Sequence, residues 1–183
     1  MSEKKKIYLS LSIVLSMGIV LGIGKQGITL LYFQDSISHN FLRAYGFIDL
    51  FFGFISPFML YTFLCITSFL MAAILGEKIT LKSIYANIGI GFFPLLVIAT
   101  ITSVIVYQLD KNDLDNIVNS SSGNYNLRWG ISFLELRYFN YLGYICLYAY
   151  IFLFFKKKEH FEIINSSLIT FLPTLVTSMF FVF

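Results

Sequence analysis

Five apolar stretches dominate this 183-residue chain, at residues 7–24, 51–75, 85–107, 138–155 and 163–183, with short charged segments between them. A hydrocarbon core of about 30 Å takes roughly 20 helical residues to cross, and each stretch approaches or exceeds that length. Inside a bilayer every backbone N–H and C=O must find its partner within the protein, which leaves helices and closed barrels. The apolar runs are continuous and do not alternate with polar residues, so helices are expected. The expected fold is therefore all-α: a single membrane domain over residues 1–183, built as a bundle of five transmembrane helices. With 57% hydrophobic, 19% aromatic and 13% charged residues, the chain has too little polar surface for a soluble domain of its size.

The distribution of charge says more than the net value of +3. With the amino terminus cytoplasmic, the inner segments carry Lys4, Lys5, Lys6, Lys78, Lys82, Lys156, Lys157 and Lys158, against Lys25, Arg43, Lys111, Arg128 and Arg137 outside. This follows the positive-inside bias and places the carboxyl terminus on the outer side. It gives no reason to expect a nucleic-acid partner. The first apolar stretch exceeds a usual signal-peptide core and has no Ala-x-Ala-like site after it, so it reads as a retained signal anchor.

Between the first two stretches, Ile37, Phe41, Tyr45, Ile48 and Phe52 fall on one helical stripe. The pattern predicts an interfacial amphipathic helix, capped by Asp35 or Ser36 and turning into the second span at Gly46. Phe41 and Tyr45 are its candidate contact residues. A second interfacial segment surrounds Trp129, whose amphipathic ring suits the headgroup level. The acidic run from Asp110 departs from an EF-hand loop, with Leu114 at the fifth position and Asp115 where glycine is needed, and reads as solvated surface.

All three prolines, Pro57, Pro94 and Pro173, lie inside spans and are expected to kink them. Gly18 and Gly22 form a G-x-x-x-G pair, and Ala86, Gly89 and Gly91 thin the start of the third span, so these five are candidate helix-contact positions. Asp49, Glu135, Arg137 and Glu162 are expected at span ends, leaving no ionisable residue at mid-membrane for a proton or ion path. Catalytic motifs such as H-E-x-x-H, G-x-S-x-G and the P-loop do not occur. His39 and His160 lack metal-ligand spacing, and Cys65 and Cys146 lie within spans as packing residues. No catalytic residue, metal site or cofactor is expected.

The segment ISPFMLYTFLCITSFLMAAILGEKITLKSIYANIGIGFFPLLV resembles the core of the Yip-type family of five-span membrane proteins. In that family a helix ends in a glycine-containing cytoplasmic turn, a short polar segment follows, and the next helix carries small residues before a proline. The matching positions are Gly76, Thr80, Leu81, Lys82, Ala86 and Pro94. The tail from Tyr141, with its basic turn KKKEH, is similar to the family's last helix pair. Eukaryotic members carry a long cytoplasmic amino-terminal region where this chain has MSEKKK, so the resemblance implies the compact bacterial form. Some bacterial relatives accompany ATP-driven exporters and help protect cells from toxic peptides.

The implied role is a non-catalytic accessory subunit of an ABC-type exporter in a bacterial cytoplasmic membrane, with the lipid bilayer, a permease and an ATPase as partners. Two alternatives remain open. A small transporter or channel would use a polar stripe of Asn87, Thr100 and Ser103 with Ser166, Thr170 and Thr174. A trafficking or membrane-shaping scaffold would self-associate and act on curvature.

Overall fold

The structure, a computed structural model, describes residues 2–32, 39–110, 112–113 and 133–181. Among them, 89% are helical and none is in a strand. The elements are α1 (Glu3–Tyr32), α2 (His39–Ile74), α3 (Leu81–Gly91), α4 (Phe93–Tyr107), α5 (Phe133–Leu153) continued by a π turn (Phe154–Lys158), and α6 (Ile163–Phe181). Four segments are long and apolar enough to cross a membrane: Glu3–Leu30, Leu42–Ile74, Leu81–Tyr107 and Tyr138–Lys158. The chain thus has the makings of a membrane protein. Over the fifth expected span the chain is helical from Ile163 to Phe181.

The helices distribute over two compact units. Unit 1 comprises Met1–Val14, Phe58–Pro94 and Tyr144–Phe183, and unit 2 comprises Leu15–Pro57 and Leu95–Gly143.

In unit 2, α1 and α2 pack through glycine. A Cβ on Gly18 would meet the Phe54 carbonyl oxygen at 2.6 Å, one on Gly22 the Leu50 carbonyl oxygen at 2.8 Å, and one on Gly53 the Gly22 Cα at 2.7 Å. The backbones touch where no side chain fits, the arrangement that small-residue spacing permits in helix pairs. Helix α4 joins this unit through Ser103, whose hydroxyl donates to the Val20 carbonyl at 3.5 Å, and Tyr107, whose hydroxyl donates to Ile23 at 3.1 Å. Gly143 admits α5 against Leu95 and Ile98 of α4.

The expected turn at Gly46 is absent. Helix α2 runs unbroken from His39 to Ile74, so the segment read as a separate interfacial helix continues into the second span. Gly46 serves packing: a Cβ there would meet Leu30 Cδ2 at 3.4 Å. The stripe of Tyr45, Ile48 and Phe52 is exposed, while Leu42, Gly46, Gly53 and Pro57 are buried on the opposite side. The side chain of Phe41, the caps Asp35 and Ser36, and Trp129 lie outside the described residues.

Asp49, expected at a span end, lies two turns from the start of the 33-residue segment Leu42–Ile74, half-buried, and accepts a hydrogen bond from the Thr29 hydroxyl of α1. A helix of 33 residues extends about 50 Å, well beyond a hydrocarbon core of about 30 Å, so a position two turns from its start is compatible with headgroup depth.

The three prolines behave differently. At Pro57 the helix continues, and the Gly53 carbonyl, which has lost its i+4 donor to the proline ring, accepts from the Ser56 hydroxyl at 3.2 Å. Before Pro94 the span breaks: α3 ends at Gly91, Phe92 forms a turn with its N–H on the Gly89 carbonyl at 3.2 Å, and α4 starts at Phe93. Pro173 sits inside α6 without interrupting it.

Candidate functional site: the lysine-bearing end of unit 1

Unit 1 gathers three basic segments: the start of α1, the turn between α2 and α3, and the π turn after α5. It holds eight lysines against four glutamates, whereas unit 2 holds five basic against six acidic residues.

The turn from α2 to α3 is built by local chemistry. Gly76, at φ +75°, closes α2 in a Schellman arrangement: its N–H bonds the Ala73 carbonyl at 3.1 Å, and the Glu77 N–H bonds Ala72 at 2.9 Å. Only glycine takes this left-handed conformation without strain. Thr80 then caps α3, its hydroxyl accepting from the Ser83 N–H at 3.2 Å. Leu81 opens the helix, and Lys82 beside it pairs with Glu3 at 3.5 Å, both about half exposed. A surface pair of this kind contributes at most about 1 kcal/mol.

One turn further, Ser83 and Asn87 project from the same face of α3, since residues four apart lie above one another. Together they hold two consecutive residues of the basic turn. The Lys158 ammonium donates to Asn87 Oδ1 at 2.7 Å, and the Ser83 hydroxyl donates to Glu159 Oε1 at 3.0 Å. The Asn87 amide nitrogen donates back to the Ser83 carbonyl at 2.6 Å, closing the cluster. Asn87 is only 3% exposed, so its amide has no access to bulk water and depends on these partners.

The π turn presents Lys158 and Glu159 to α3. The Glu159 N–H reaches back five residues to the Phe154 carbonyl at 3.2 Å, and the chain leaves through His160 at φ +59°. Phe154 and Phe155 are both buried, and Phe155 stacks on Phe161 with centroids 5.7 Å apart. Lys158 also lies over the Phe154 ring at 5.1 Å. Asn165 of α6 donates to Glu77 Oε1 at 2.7 Å, fastening α6 to the α2–α3 turn.

Below this polar layer, α3 is gripped by its neighbours in the unit. The Ser10 hydroxyl donates to the Ala86 carbonyl at 3.3 Å, and Ser10 fills the space left by the missing side chain of Gly89. The Tyr61 hydroxyl donates to the Tyr85 carbonyl at 2.6 Å, and its ring meets Tyr85 and Phe92 edge-on at 5.3 and 5.9 Å. A Cβ on Gly91 would lie 2.9 Å from Tyr150 and 3.0 Å from Leu147 of α5. Beside Gly91 opens an apolar cavity of about 450 Å³, lined by Leu9, Ile13, Ile90, Phe93, Pro94 and Tyr150.

The residues named for a polar stripe divide between the units. Thr100 and Ser103 belong to unit 2, where the Thr100 hydroxyl donates to the Leu96 carbonyl of its own helix at 2.8 Å. Asn87, Ser166 and Thr170 belong to unit 1; Thr170 donates to the Ser166 carbonyl at 2.8 Å, and the Ser166 hydroxyl is buried with no hydrogen-bond partner. The side chain of Thr174 lies outside the described residues. No group of three or more His, Cys, Asp or Glu that could hold a metal ion occurs among the described residues.

Among the described residues, fold and site together define an all-helical protein with four segments long and apolar enough to cross a membrane and a basic, hydrogen-bonded cluster in unit 1. Comparison with known protein families, with curated proteins and with solved structures found no match to this chain.

Proposed function

We propose that the chain is a non-catalytic integral membrane subunit that works by associating with other membrane proteins. The partners implied by the Yip-type resemblance are the permease and ATPase of an ABC-type exporter linked to toxic-peptide export or self-protection. The supporting observation is how unit 1 uses its polar side chains. Ser10, Tyr61, Ser83 and Asn87 each hold one segment to another, and the neighbouring 450 Å³ cavity offers a solute an almost wholly apolar wall. A scaffold engages its hydrogen-bonding groups internally, whereas a solute path leaves them facing a cavity.

The proposed setting is a bacterial cytoplasmic membrane with the basic unit 1 facing the cytoplasm, in keeping with eight of the thirteen Lys and Arg residues falling there. With α6 crossing as a fifth span, the carboxyl terminus lies outside. The internal α1–α2 contact occupies Gly18, Gly22 and Gly53, so partner subunits meet other surfaces, such as the exposed Phe47 and Phe51 or the stripe of Tyr45, Ile48 and Phe52.

The second reading, a small solute or ion transporter, draws on the Ser166 hydroxyl, buried and unpartnered one turn from Thr170. Mass spectrometry of what co-purifies in mild detergent with a tagged copy, expressed at native level in its own host, separates the readings. Stoichiometric recovery of an ATPase and a permease is expected. Recovery of the chain alone contradicts the accessory role and turns the question to transport or membrane shaping in liposomes.

A further inference from the structure

The apolar cavity of unit 1 lies directly beneath the lysines. On α1, Lys6, Leu9 and Ile13 follow one another at helical spacing on one face, with Leu9 and Ile13 about 5 and 10 Å further along the axis. On α3, Ile90 and Gly91 lie about 12 to 14 Å along the axis from Lys82. Tyr150 stands seven residues before Lys157 on the third wall. Measured from Lys6, Lys82 and Lys157, the lining therefore covers roughly the depth of one leaflet, half of a core about 30 Å thick.

The groove exists because of two features already described. Gly91 contributes no side chain, and the break at Phe92 ahead of Pro94 interrupts the helix wall. At about 450 Å³ it falls within the size of sites that take small ligands, about 300–1,000 Å³. Its wall is almost wholly apolar.

The charge above it is incompletely balanced. Lys158 has the like charge of Lys6 as a close neighbour, with Glu3 and Glu159 acting in the opposite sense. Glu3 is shared with Lys82, and Glu159 is engaged by Ser83. Lys5, Lys156 and Lys157 are exposed at the same end. Two ammonium groups held together over an apolar groove are complementary to one kind of molecule, an anion carried on a hydrocarbon chain.

We propose that unit 1 holds one anionic phospholipid, its phosphate at Lys6 and the neighbouring lysines and one acyl chain in the groove of Leu9, Ile13, Ile90, Phe93, Pro94 and Tyr150. The site stands whether or not the protein serves an exporter, because it depends only on the helices crossing a bilayer.

The test is native mass spectrometry of the full chain in a delipidating detergent, titrated with phosphatidylglycerol or with phosphatidylcholine of the same acyl chains. One phosphatidylglycerol per chain is expected to be retained at concentrations where phosphatidylcholine is not. Lys6→Gln is expected to weaken phosphatidylglycerol retention about fivefold and leave phosphatidylcholine unchanged, the equivalent of one lysine near an anionic surface. Leu9→Trp, at a partly exposed position, is expected to fill the groove and abolish retention, with helical circular dichroism confirming that the variant folds. Equal retention of the two lipids, or retention untouched by both variants, would overturn the proposal. So would displacement of the lipid by millimolar inorganic phosphate alone, since the acyl chain is part of what binds.

Discussion

Gly53 of α2 lies against Gly22 of α1 so closely that a Cβ on Gly53 would stand 2.7 Å from the Gly22 Cα and 2.8 Å from the Leu21 carbonyl oxygen. The obstructing atoms are backbone and cannot rotate away. Gly53→Ala is therefore expected to force α1 and α2 apart and to destabilise the protein by about 1–3 kcal/mol, the usual effect of overpacking. Thermal unfolding in detergent reads this out, and a variant as stable as the parent would mean that the two helices do not meet at this point.

Ser56 supports the same helix in another way. Its hydroxyl donates to the Gly53 carbonyl that Pro57 leaves without a backbone partner. Ser56→Ala is expected to lower stability by about 0.5–1.5 kcal/mol, the net value of one hydrogen bond. In a Pro57→Ala background the backbone bond returns, so the effect of Ser56→Ala should shrink. A double-mutant cycle measures the difference, and equal effects in both backgrounds would refute the repair.

At the basic end, Asn87 joins α3 to the π turn through Lys158. Replacing it with leucine keeps the volume roughly constant but leaves the Lys158 ammonium without its acceptor. A loss of about 0.5–1.5 kcal/mol is expected, the net value of one hydrogen bond, since the exposed Lys158 ammonium keeps access to solvent. Faster exchange of the backbone amides after Phe154 should accompany it. Unchanged stability and exchange would show that the asparagine does not hold the turn.

Much of this was legible in the sequence, for reasons specific to each element. Four helices announced themselves by apolar runs that approach or exceed the length a bilayer needs, and Gly18 and Gly22 by their spacing. Their partner Gly53 was hidden because the segment before it reads as an amphipathic helix ending at Gly46, and a glycine's spacing does not say whether it turns a chain or admits a neighbour. The pairing of Asn87 with Lys158 joins residues 71 positions apart and depends on a π turn that has no periodic signature.

Both the proposed function and the lipid site rest on helices that cross a membrane, and cysteine labelling at the two ends of the segment Leu81–Tyr107 tests that most directly. In a background with Cys65 and Cys146 replaced, single variants Lys78→Cys, between α2 and α3, and Gln108→Cys, just after α4, place one exposed thiol before and one after the segment Leu81–Tyr107. Right-side-out membrane vesicles treated with an impermeant thiol reagent should label Gln108→Cys at once and Lys78→Cys only after permeabilisation. Labelling of both thiols from the outside, or the reverse pattern, would contradict the account.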